Sequence, residues 1–75
     1  MSWLTLPPTE VFDQSIAAAI QAGVSGNELT IFAEKMINML ELYQWDTQSE
    51  SEYYSEPKSV QQAFGNLHPQ WFSTK

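Results

Sequence analysis

Two residue types are missing from these 75 residues, cysteine and arginine, and each absence closes off chemistry. Without cysteine there is no disulfide, no thiolate nucleophile and no zinc-thiolate site, so the usual staples of small secreted domains are gone. A cytoplasmic setting is the expectation. Without arginine, and with Lys35, Lys58 and Lys75 as the only lysines, the chain has little with which to displace counterions from phosphates. Nucleic acid is therefore not an expected ligand of the isolated chain. Anionic membrane surfaces are disfavoured by the same charge, nine carboxylates giving a formal net −6. No apolar run is long enough to span a bilayer, and the stretch from Met1 to Pro8 lacks the basic and apolar parts of a secretory signal.

Chemistry has equally little to stand on. His68 is the sole imidazole, one imidazole makes no metal site, and no serine sits in a Gly-x-Ser-x-Gly turn. The spacing Asp46-x-x-x-Glu50-x-Glu52 lacks the glycine and ligand density of a calcium loop, and no glycine-rich loop with a lysine could cradle phosphate. Neither an enzyme, nor a cofactor, nor a bound metal is expected.

What is present is helical patterning over one small domain, residues 1–75. Proline at Pro7 and Pro8 suits a first helical turn, and Phe12, Ile16, Ala19 and Ile20 then fall on one face, which predicts a helix over about 8–22. Gly23 ends it, because glycine enters the left-handed region without a Cβ penalty. Ser25 and Glu28 have capping-box spacing, with Val24 placed to staple onto Leu29. A second helix follows over about 26–45, with Leu29, Phe32, Ala33, Met36, Ile37, Leu40 and Tyr43 along its core stripe. Ile31, Lys35, Asn38, Leu42 and Trp45 form a second stripe on the opposite face. The C-terminal segment is expected to fold back over Ile31, Leu42 and Trp45; the alternative is a partner or homodimer surface there. Residues 46–55 are polar and acidic without periodicity and predict an exposed loop. A short helix over about 56–64 closed by Gly65, with Val60, Ala63 and Phe64 on one side, precedes a tail at 66–75 whose Trp71 and Phe72 suggest docking. The fold class is all-α, a small bundle built on a helix-turn-helix-like hairpin.

The segment from Ala19 through Gly23, Val24 and Leu29 to Phe32 resembles the helix-turn-helix of DNA-binding proteins, which would imply a transcriptional regulator. Its groove-facing positions would be Gly26, Asn27, Thr30, Ile31, Glu34 and Lys35, which place an anion where bases are normally read. In layout alone, two longer helices, an acidic segment with Tyr53 and Tyr54, a proline and a final helix, the chain also resembles the colicin nuclease immunity proteins. That resemblance implies a small acidic inhibitor of a basic enzyme, and it carries over no residue roles.

The resulting expectation is a non-enzymatic interaction module, an inhibitor, adaptor or accessory subunit, that binds a basic protein, in a sharper form as a nucleic-acid mimic. Complementary charge would speed encounter and suppress wrong partners. Trp45, Tyr53 and Tyr54 are the expected aromatic anchors, Asp46, Glu50, Glu52 and Glu56 the steering charges, and Ile31 and Leu42 an added apolar surface. A helix-turn-helix regulator and a self-associating structural subunit are the alternatives.

Overall fold

Three α-helices and two single 3-10 turns follow one another in a computed structural model that describes residues 6–72. The expectations placed on residues 1–5 and on Lys75 lie outside the described residues. Helix α1 spans Pro8–Gln21, α2 Gly26–Leu42 and α3 Lys58–Leu67, with 3-10 turns at Gln48–Glu50 and Pro69–Phe72. The described chain is all-α: α2 packs against α3 and α1 to form a small bundle, and among the described residues no helix is long and apolar enough to cross a membrane.

Helix α1 starts as its sequence dictates, with Pro8 in the first helical position after an extended Pro7 and with Glu10 in the first turn. Its end is a Schellman motif. Gly23 takes φ +94°, its N–H reaches the Ile20 carbonyl at 3.0 Å, and the Val24 N–H reaches the Ala19 carbonyl at 3.0 Å. Three orphan carbonyls of the last turn are thereby satisfied or shared, and the chain reverses within four residues.

The capping box expected at Ser25 does not form: among the described residues Ser25 makes no side-chain capping bond. Gly26 is the physical reason. It is the first residue of α2 yet stands at φ +59°, outside the right-handed helical region, so the chain enters the helix without the regular first turn that a capping box needs. The first helical bond instead joins the Leu29 N–H to the Ser25 carbonyl. Thr30 adds a tie across the bundle, its hydroxyl donating to the Ser59 carbonyl at 2.9 Å, where α3 begins.

Helix α2 stops at Leu42, three residues short of the Trp45 that the apolar pattern suggests. A second Schellman motif ends it: the Gln44 N–H reaches the Glu41 carbonyl at 3.0 Å and the Trp45 N–H reaches the Leu40 carbonyl at 3.2 Å. Gln44 occupies the left-handed position at φ +70° that glycine ordinarily fills. This turn reverses the expected facing of two aromatics. Trp45 swings into the core at 4% exposure, whereas Tyr43, expected on the core stripe, is 74% exposed.

Trp45 then joins Phe12 and Phe64, with ring centroids 5.1 Å from Phe12 and 6.2 Å from Phe64, and Phe12 and Phe64 5.5 Å apart. One residue from each helix or its exit thus meets at the centre of the bundle. The indole N–H is satisfied, donating to the Thr9 hydroxyl at 2.9 Å and the Thr47 hydroxyl at 3.1 Å, which are themselves 2.7 Å apart. Ile16, Ile37, Val60 and Ala63 complete the buried centre.

The expected cover over the second stripe is only partly there. Trp45 is covered, but Ile31 and Leu42 stay exposed, Leu42 at 82%. The reason is that α3 lies against the other side of α2, over Thr30 and Glu34, where the Asn66 amide donates to the Glu34 carboxylate at 2.6 Å. Helix α3 also runs past Gly65 to Leu67, with the ring of Phe72 beside Gly65.

Candidate partner-binding surface

The acidic stretch after Trp45 is not the freely solvated loop its composition suggests. Gln48 and Ser51 are buried, and each is held by side-chain hydrogen bonds. Gln48 donates to the Trp45 carbonyl at 2.9 Å and to the Glu41 carboxylate at 2.8 Å; Glu41 also lies 2.7 Å from the His68 Nε2. Asp13 of α1 receives the other half of the loop, accepting from the Ser51 hydroxyl at 2.5 Å and from the Glu52 N–H at 3.2 Å. Hydrogen bonds from two helices thus fix a segment with no apolar periodicity. His68 is stacked on Trp71, ring centroids 3.8 Å apart, so its place is in this scaffold.

That anchoring fixes the backbone beneath the exposed carboxylates. Asp46 and Glu50 line one open cleft together with Glu10 of α1, and Pro7, Pro8, Thr9, Gln44, Trp45 and Thr47 complete its wall. Three acidic residues from two separate segments therefore line the same cleft, and within the described part of the chain no lysine or histidine lines it. Glu10 is itself steadied by the Gln14 amide at 2.9 Å. Charges of one sign gathered over a low-dielectric wall focus a negative potential outward, which is the condition for steering a cation.

Glu52 and Glu56 lie elsewhere, at a second open cleft of about 440 Å3 with Ile20, Leu29, Tyr53 and Pro57 among its lining residues. The two tyrosines have different roles in the structure. Tyr53 borders this second cleft, while Tyr54, equally half-buried, packs with ring centroids 5.2 Å from Phe64 and 5.3 Å from Phe72 and lines a further open cleft with Asp46 and Trp71. Trp45, placed by sequence among the anchors, is a core residue. Ile31 and Leu42 remain exposed on α2, as do Met39 and, one residue beyond its end, Tyr43.

Three contributors escape a reading of the sequence. Glu10 and Asp13 read as partners of the α1 dipole, and nothing local says that one faces the loop carboxylates while the other holds the loop. Tyr43 escapes because glutamine gives no signal for a left-handed turn. Among the described residues no group of three or more His, Asp or Glu is placed to hold a metal ion. Comparison with protein-family models, curated proteins and solved structures found no match to this chain.

Proposed function

We propose that this chain is a small acidic protein-interaction module that binds a basic protein partner stoichiometrically, as an inhibitor, adaptor or accessory subunit. The observation that carries the reading is the presence of Glu10, Asp46 and Glu50 along one open cleft. Their backbone is held by the indole bonds to Thr9 and Thr47 and by the Asp13 bonds to Ser51 and Glu52. A negative surface on a held backbone discriminates between partners better than one on a mobile loop, because less ordering entropy is lost when the charges are met. The formal charge of −6 extends the attraction beyond the contact itself. A mimic of nucleic acid would need carboxylates spaced along a ridge; the grouping of three at one cleft and two at another favours the plainer interaction module.

The test compares the proteins retained by the immobilised chain and by its Asp46→Lys/Glu50→Lys variant, each at low and high salt. Basic partners that are lost on charge reversal and weakened by salt support the reading. A partner set without basic surfaces, held equally by both forms, overturns it.

A further inference from the structure

The outer face of α2 is the second element of the surface, and it rests on the interaction reading above. Four large apolar side chains stand out from α2 and its C-cap: Ile31 at 46% exposure, Met39 at 45%, and Leu42 and the capping residue Tyr43, the most exposed of the four. Ile31 to Leu42 spans eleven residues, a strip about 16 Å long at the rise of an α-helix. Lys35 and Asn38 lie between them and Glu28 near the start. Apolar side chains of this size on a 75-residue bundle leave area in water that a partner would cover.

Charge decides what kind of partner would cover them. Tyr43 is followed at once by Gln44 and Asp46, which line the cleft that also holds Glu10 and Glu50. The last turn of α2 contains no basic residue, so the negative end of its dipole adds to those carboxylates. A second copy of this chain would bring another net −6 toward that end, which disfavours self-association there.

We infer that α2 docks a basic amphipathic helix of the partner, its apolar side chains laid along Ile31, Met39, Leu42 and Tyr43 and its lysines or arginines directed to Asp46, Glu50 and Glu10. The apolar strip would form the centre of this contact and the carboxylates its charged rim.

The probe is a fluorescently labelled amphipathic peptide of about four helical turns, leucine on one face and lysine on the other, with a leucine and glutamate peptide as its control. Anisotropy is read against the full chain at low and high salt. The expected result is saturable binding of the lysine peptide alone. Leu42→Ser/Tyr43→Ser should weaken it about tenfold or more at both salt levels, a loss of about 1.4 kcal/mol or more. Asp46→Lys/Glu50→Lys should weaken it chiefly at low salt. Both variants change exposed residues, and circular dichroism verifies that they fold. Binding lost on charge reversal but indifferent to Leu42 and Tyr43 overturns the docking strip while sparing the acidic reading; binding indifferent to both sets, or equal for the two peptides, overturns both. Concentration-dependent dimerisation abolished by Leu42→Ser/Tyr43→Ser would assign the strip to a second copy and overturn the inference.

Discussion

Tyr43 and Trp45 are separated by one residue, yet Tyr43 stands in solvent and Trp45 is enclosed by Phe12 and Phe64. The residue between them, Gln44, makes the difference. Its left-handed backbone ends α2, directs the indole inward and leaves the phenol in solvent, one residue before Gln44, which lines the acidic cleft. A single backbone conformation thereby sets both a centre of the core and one end of the proposed binding surface.

Gln44→Gly is expected to stabilise the chain. The left-handed region costs a residue with a Cβ about 1 kcal/mol or more, part of which is offset by the greater freedom of glycine in the unfolded state. A net gain of about 0.5–1 kcal/mol corresponds to a rise of about 2–8 °C in melting temperature for a domain of this size. Thermal denaturation followed by circular dichroism checks it; an unchanged or lower melting temperature would mean that Gln44 is not held in this conformation.

Trp45→Ala should be the most damaging of the single changes considered. Truncating a buried tryptophan costs about 3–5 kcal/mol, a large share of what a small domain has in total. It also leaves the Thr9 and Thr47 hydroxyls without their indole donor. Urea denaturation should show a midpoint far below that of the parent chain, or no folded baseline at all.

Tyr43→Ala should do almost nothing to folding. Its exposure places it with surface substitutions that change stability by less than about 0.5 kcal/mol. The contrast between Tyr43→Ala and Trp45→Ala, measured by the same denaturation, tests the reversed facing of the two aromatics; comparable losses would contradict it.

Asp13→Ala should release the acidic segment from α1. The carboxylate accepts from Ser51 and from the Glu52 backbone, and charge-assisted bonds of this kind are worth about 1.5–3 kcal/mol each, less where water reaches them. Amide hydrogen exchange should quicken at Glu52 and Tyr53 while Ile37 and Leu40 in α2 lose only the protection that the global loss of stability dictates.

The helical fold class and the first turn are legible because their causes are local. Gly23 must end α1, Pro8 suits its start, and the periodic faces through Phe12, Ile16, Leu29, Ala33, Ile37, Val60 and Phe64 need only a neighbour to pack against. The end of α2 is not legible in this way. Leu42, Tyr43 and Trp45 continue a helical apolar pattern, and only the tertiary gain from placing the indole between Phe12 and Phe64 explains a turn built on glutamine. The docking of residues 46–55 is hidden for a different reason. Its contacts are hydrogen bonds to Asp13, Glu41 and the Trp45 carbonyl, all distant in sequence or without periodicity, so polarity alone reads as solvation. The acidic composition of the surface is visible in the sequence, whereas the joining of Glu10 to Asp46 and Glu50 requires the fold.

Amide chemical-shift mapping of the full chain during titration with the leucine and lysine peptide tests the proposed surface most directly. The account predicts that the perturbations concentrate at Ile31, Met39, Leu42, Tyr43, Asp46, Glu50 and Glu10, and that α3 and the cleft beside Tyr53 stay quiet. Perturbations centred on Tyr53, Glu52 and Glu56, or on the outer face of α3, would contradict it.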